Sequence, residues 1–148
     1  MKISVALVAR SLRGDVFAPA LDRYVQRIGH YVPVEVLCFR SEESLFAAAE
    51  RRRERSAPWL ALLDPRGERL TSEQFAGKIG AHRDAGRQSL IFGIGPADGW
   101  SAGALKKAQA VLSLGPMTLS HELSRVVLAE QLYRACTILA GHPYHVEH

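Results

Sequence analysis

Residues Val111–His145 read VLSLGPMTLSHELSRVVLAEQLYRACTILAGHPYH, a short β run, a Gly/Pro break and a long apolar-rich segment in direct succession. VLSLG has the composition of a short strand. GPMT interrupts it at a point where backbone must turn or approach another group closely. From Ser120 to Leu139, Leu123, Val126, Val127, Leu132, Ala135, Cys136 and Leu139 supply enough apolar positions for a buried helix. A strand, a glycine-bearing loop and a helix form half of an α/β unit, so the rest of the chain should alternate in the same way.

It does. ISVALVA (Ile3–Ala9) is an uninterrupted apolar run, as in a strand covered on both faces. From Asp15, residues Phe17, Leu21, Tyr24, Val25 and Ile28 share one helical stripe, and Gly29 is placed to cap its end. VPVEVLCF is a second strand, and a helix opens at Ser41 and runs out into ERRRERS (Glu50–Ser56). PWLALLD (Pro58–Asp64) is a third strand, closed by a turn at PRGE. Thr71 with Gln74 forms a capping box ahead of FAGKIGAHRDAG. QSLIFGIG is a fourth strand and SAGALKKAQA a helix. Five strands separated by helices predict an α/β fold with a largely parallel sheet and right-handed crossovers, in one domain spanning 1–148.

Composition sets the boundaries. Hydrophobic residues are 47% of the 148, charged residues 23%, and the net charge is +4, which permits a nucleic-acid partner without requiring one. Cys38 and Cys136 each lie in an apolar run and read as buried free thiols. MKISVALVAR is too short for an export signal or a membrane span, which points to a reduced cytoplasm. ERRRERS reads as an exposed helix end with interleaved charges, with an RNA-facing patch as the other option.

Ligands in open α/β sheets lie beyond the carboxyl ends of the strands. LLDPRG, FGIGPADGW and LSLGPMTLSH are the three strand ends that carry such loops. GIGPADG is not a dinucleotide fingerprint, because it follows the fourth strand and holds Pro96 inside the motif. No Walker A sequence or G-x-S-x-G elbow occurs. His142, His145 and His148 crowd the last residues, but no Cys pair or H-E-x-x-H accompanies them, and no helix is expected across Pro143. His121 and Arg125 share a face at the start of the final helix, where an anion is favoured; a solvated face with a dimer contact explains them equally well.

FGIGPADG, SLGPMTLSH, LSRVVLAEQLYRA and HPYH, together with LLD, resemble the ribosomal RNA large subunit methyltransferase H family, small SPOUT-class methyltransferases. The resemblance covers essentially the whole chain. It implies a parallel-sheet SPOUT domain with a deep C-terminal trefoil knot, roughly residues 89–148, that holds S-adenosyl-L-methionine bent between three loops. It also implies a homodimer that methylates N3 of a pseudouridine in the helix 69 loop of 23S rRNA within the ribosome, with neither metal nor membrane involved. By motif, Leu63 lines the cofactor pocket from the first loop and Gly95 and Pro96 from the second. Gly115, Pro116, Met117, Thr118, Leu119 and Ser120 wrap it from the third. His121, Arg125, Tyr144 and His145 face the methyl acceptor, with the tail coming from the other subunit as one option and either histidine as general base. Pro96 in place of a glycine and Gly115 in place of a serine depart from the family pattern. A non-catalytic ribosome-binding protein of the same fold, and a SPOUT enzyme acting on another RNA, are the alternatives.

Overall fold

A computed structural model describes residues 1–53 and 56–148. The elements are β1 (Lys2–Val8), α1 (Ala18–Ile28), β2 (Val34–Phe39), α2 (Glu42–Arg53), β3 (Trp59–Arg69), α3 (Ser72–Asp84), β4 (Ser89–Ile94), α4 (Ala102–Lys107), β5 (Ala110–Ser113), α5 (His121–Leu139) and α6 (Tyr144–Glu147). The strands form one sheet in the order β2-β1-β4-β3-β5, and every pairing is parallel.

That order explains where the helices go. The steps β1 to β2 and β3 to β4 run one way across the sheet, and the steps β2 to β3 and β4 to β5 run the other. Right-handed crossovers then force α1 and α3 onto one face and α2 and α4 onto the opposite face. The packing agrees. Ile3, Val5, Leu7, Leu90 and Phe92 meet Ile28, Phe75, Ile79, Leu128 and Leu132, so α5 joins α1 and α3. Ala6, Leu60, Leu62 and Ile91 meet Leu45 and Ala49 from α2, Ala104 from α4 and Trp100 from the loop before α4. Both faces of the inner strands are covered, which is why they read as unbroken apolar runs.

Several expectations change in detail. PRGE is not a turn: β3 continues through it to Arg69, with a register shift between Leu63 and Glu68 that keeps it paired with β5. Gly67 makes this possible, because a Cβ there would stand 2.6 Å from the Val111 backbone. The helix expected from Asp15 begins at Ala18, while Gly29 does cap it but in right-handed geometry. Cys38 is exposed, because β2 is an edge strand, whereas Cys136 is buried; both are free. Beyond Pro143, where a loop is expected, the chain makes one short helix, α6. The capping box at Thr71 and Gln74 is present on both sides. Of ERRRERS, Glu50–Arg53 close α2, and positions 54–55 lie outside the described residues.

At the amino-terminal edge of β1 and β2 a polar cluster joins α2 to the sheet. Glu35 accepts from Ser4 Oγ at 2.8 Å and from Arg52 Nη2 at 2.8 Å, and Lys2 Nζ stands 2.8 Å from its other oxygen. Burial on its own raises the Glu35 pKa, but hydrogen bonds from Lys2, Arg52 and Ser4 outweigh it and pull the carboxyl down to about 2. A carboxylate whose folded-state pKa is depressed stabilises the fold above its unfolded value near 4.5 and loses that contribution as pH falls towards 2. The urea midpoint of the wild type should therefore drop between about pH 5 and pH 2, a loss on the order of 1–2 kcal/mol from this group. Glu35→Gln should flatten that part of the curve; an unchanged slope in the variant would contradict the assignment.

Candidate active site

Loops after β3 and β5 turn to one face of the sheet and the loop after β4 turns to the other, which opens a crevice at the carboxyl ends of these strands. A cavity of about 290 Å³ occupies it. Leu63, Asp64 and Pro65 come from the part of β3 that runs on past the end of β4, Ile94 to Trp100 from the end of β4 and the loop after it, and Leu114, Gly115, Met117, Thr118 and Leu119 from the loop after β5. His121 and Ser124 close it from the first turn of α5. A second cavity of about 220 Å³ adjoins it, sharing Leu63, Leu114 and Gly115 and reaching back to Phe75, Leu128 and Gln131.

Trp100 sets the wall of the second loop. Its indole N–H donates to the Leu63 carbonyl at 3.0 Å, which ties the loop after β4 to β3. The ring lies against Gly93 and Gly95, and a Cβ at Gly95 would stand 2.9 Å from it. Gly95→Ala should therefore push the indole off its hydrogen bond and into the cavity. The expected cost is about 1–3 kcal/mol, as for other overpacked sites, with a shift in tryptophan emission. An unchanged melting temperature and emission spectrum would contradict the packing described.

The electrostatics of the cavity are one-sided. Asp64 is buried, and its two oxygens accept from Arg66 Nε at 2.8 Å and Nη2 at 2.9 Å. Those bonds, against the opposing effect of burial, hold the Asp64 carboxyl below its usual value, so it is ionised at neutral pH. Asp98 also borders the space, and no lysine or arginine lines it among the described residues. Arg66 offsets the Asp64 charge, so Asp98, in no ion pair among the described residues, is the acid that makes this apolar, glycine-walled space suit a ligand that carries positive charge.

The third loop is fixed by its own hydrogen bonds. Ser113 Oγ donates to the Gly115 carbonyl at 2.9 Å and accepts from the Gly115 N–H at 3.0 Å. Gly115 has φ +136°, a conformation in which the expected serine would be strained. Ser120 caps α5, accepting from the Leu123 N–H at 3.2 Å. It therefore acts on the helix start, and neither it nor Pro116 lines the cavity.

Of the four residues expected to face an acceptor, only His121 reaches the cavity. Arg125 is buried one turn further on and pairs with Asp15. Tyr144 and His145 lie at the other end of α5: Tyr144 Oη donates to Glu130 Oε1 at 3.0 Å and its ring packs edge-on against Tyr133. Burial, with the hydrogen bond to Glu130, pushes the Tyr144 phenol up to about 12, so it remains a donor. His145 Nδ1 stands 3.1 Å from Arg134 Nη1, and Nε2 stands 2.8 Å from Glu73 Oε1. Arginine only donates, so Nδ1 accepts and the ring proton sits on Nε2. His145 has no free lone pair in this position. From His121 to Arg134 the helix rises roughly 20 Å, so one chain does not bring its tail to its own cavity here.

The other tail histidines are also engaged. His142 Nδ1 accepts from the Tyr144 N–H, and His148 stacks on the Tyr144 ring. No group of three or more His, Cys, Asp or Glu among the described residues is arranged to hold a metal ion. Asp64, Asp98, Trp100, Leu114 and Ser124 are cavity residues that the sequence reading did not single out. Their signal was position, immediately after a β run or one turn into the helix, rather than any motif of their own.

A family described as "Predicted SPOUT methyltransferase" matches residues 1–145. The chain is 48% identical to the ribosomal RNA large subunit methyltransferase H of Koribacter versatilis, with 100% of both chains covered. It is 43% identical to the protein of that name from Sinorhizobium fredii, over 98% of this chain and 99% of the other. Among solved structures, the SpoU methyltransferase AviRb from Streptomyces viridochromogenes, in complex with AdoMet, superposes with a TM-score of 0.56 at 14% identity. The match covers 95% of this chain and 58% of AviRb. A probable methylase family protein from Haemophilus influenzae gives 0.57 at 11%, over 96% of this chain and 69% of that one. These two show the fold, and the full-length relatives carry the classification: the chain belongs to the SPOUT methyltransferases, in the ribosomal RNA large subunit methyltransferase H family.

Proposed function

We propose that the chain is an S-adenosylmethionine-dependent rRNA methyltransferase that modifies N3 of a pseudouridine in the helix 69 loop of 23S rRNA on the assembled ribosome, as a cytoplasmic homodimer. The observation that carries the cofactor assignment is the cavity itself: the far part of β3 and the loops after β4 and β5 surround an apolar, glycine-lined space bordered by Asp98 and by the Arg66-paired Asp64, with no lysine or arginine lining it among the described residues. When bound, S-adenosylmethionine supplies a methyl group on a positively charged sulfonium, which that rim favours. The two adjoining cavities meet at Leu63, Leu114 and Gly115, which suits a ligand bent at that point. The strand order is compatible with a threaded carboxyl-terminal half, and the knot belongs to the same reading.

The chain's own work is to position and deprotonate. N3 of the acceptor would give up its proton to a histidine, whose imidazole takes up the H+ as the nitrogen becomes nucleophilic, while the cavity walls hold the methyl donor in line with it. His121 lies on the cavity wall. The Tyr144–His145 tail reaches a partner's cavity in the dimer, where it covers the site and brings a second imidazole. The experiment is methyl transfer to ribosomes by stoichiometric mixtures of His121 and His145 variants, which separates action within one chain from action across two.

A further inference from the structure

The most buried ion pair among the described residues lies outside the cofactor cavity. Arg125 Nη1 donates to Asp15 Oδ2 at 3.0 Å, with side chains 4% and 5% exposed, and Arg125 Nε is buried with no partner. The remaining polar atoms of Asp15 organise the loop between β1 and α1. Its Oδ1 accepts from the Phe17 N–H at 2.8 Å, its N–H donates to the Leu12 carbonyl, and its carbonyl accepts from the Ala18 N–H. Burying two charges to hold a surface loop is unfavourable unless the position of that loop matters, since apolar residues would fill the same space at less cost in desolvation.

The position is informative. Leu7 of β1 lies opposite Ile94 of β4, so the chain leaving β1 emerges beside Gly95 and Pro96 on the cavity wall. It then crosses to α5 and is pinned there by Arg125, next to the cavity residue Ser124 and one turn from His121. The loop presents Arg10 and Arg13 to solvent, neither in an ion pair among the described residues, with Val16 77% exposed beside them. We infer that this loop is the RNA-facing rim of the site: Arg10 and Arg13 meet backbone phosphates, and the Arg125–Asp15 pair is a positioning device that holds them in register with the cavity. The inference rests on the reading that the chain acts on RNA. Charge decides the occupant, because two unpaired cations beside an anionic cofactor cavity are placed to meet the phosphates of a substrate strand.

The test uses the full chain and assembled ribosomes that lack the methyl group, with binding followed by sedimentation from about 50 to about 200 mM salt. Each phosphate contact to a single strand adds about 0.7 to the slope of log affinity against log salt. Arg10→Gln with Arg13→Gln should therefore lower the slope by about 1.4, shrinking the affinity lost over that range by about sevenfold. KM for ribosomes should rise, while kcat and S-adenosylmethionine binding hold. Asp15→Asn and Arg125→Lys should raise KM as well, and the Arg10/Arg13 effect should be smaller in the Asp15→Asn background. A purely structural pair would lower the melting temperature but leave the salt slope unmoved. An unchanged slope in the double variant overturns the proposal. So does a dimer that dissociates on Val16→Ser with Phe17→Ser while the salt slope holds, since the loop would then be a contact between copies. Wild-type protein that fails to bind ribosomes at any salt would remove the RNA reading itself, and this inference with it.

Discussion

Replacing His145 with alanine should lower methyl transfer by about 10²–10⁴-fold, the range for loss of a general base, while cofactor binding remains at the wild-type level. In the structure His145 is held away from the cavity: Nδ1 accepts from Arg134 and Nε2–H donates to Glu73. That ring takes a proton only once Nδ1 is released from Arg134, and it acts on an acceptor only where a cavity comes to it, which in the proposed homodimer is the partner's. His121→Ala should be impaired for a different reason, because His121 sits on the wall of its own cavity. Mixing the two variants then discriminates. If the tail serves the partner's site, a heterodimer has one site with both histidines intact, and random pairing restores about a quarter of wild-type activity. If each tail serves its own chain, every site lacks one histidine and the mixture stays as inactive as its components. Tyr144→Phe tests the anchoring of the tail. It removes the donor to Glu130 without removing the ring that packs on Tyr133, and should cost less than His145→Ala.

Gly67→Ala should be the most destabilising of the glycine-to-alanine changes, because its clash is with backbone at the shortest distance. The added Cβ would meet Val111 carbonyl carbon and oxygen at 2.6 Å and Leu112 carbonyl carbon at 2.7 Å, all backbone atoms with no rotamer to yield. Relief requires β3 and β5 to separate, and β5 carries the loop that begins at Leu114 on the wall of both cavities. A loss of about 3 kcal/mol is expected, at the upper end for overpacking. For a domain of this size that is a fall in Tm of about 6–12 °C, accompanied by weaker cofactor binding. Gly77→Ala is the control: a Cβ there meets nothing within 4 Å, and it lies inside α3. That change should stabilise by about 0.5–1 kcal/mol. Equal unfolding midpoints for the two variants would contradict the account of the β3–β5 junction.

The inner strands were legible because each is covered on both faces and so reads as a continuous apolar run, and the capped helix at Thr71 was legible because its box is local. Cys38 misled for a related reason: VEVLCF is apolar, yet β2 forms an edge, and edge position is a property of the assembled sheet. PRGE was read as a turn because its residues favour one. The partner strand overrides that preference, and Gly67 is there for close approach rather than for turning. At the site, Leu63, Gly95, Gly115 and His121 were found from motif and strand-end position. Trp100 was not, since its role depends on an indole reaching a carbonyl 37 positions earlier in the chain. Arg125 shares a helix face with His121 as its spacing indicates, but its partner lies 110 residues away, and no local pattern could supply Asp15.

The most direct measurement is transfer of a labelled methyl group from S-adenosylmethionine to ribosomes from a strain lacking this modification, with free 23S rRNA in parallel and the product nucleoside identified by mass spectrometry. The account predicts label on N3 of a pseudouridine, in ribosomes and not in free rRNA. Ribosome binding without any label would contradict it, leaving a SPOUT fold that recognises the ribosome but does not methylate it.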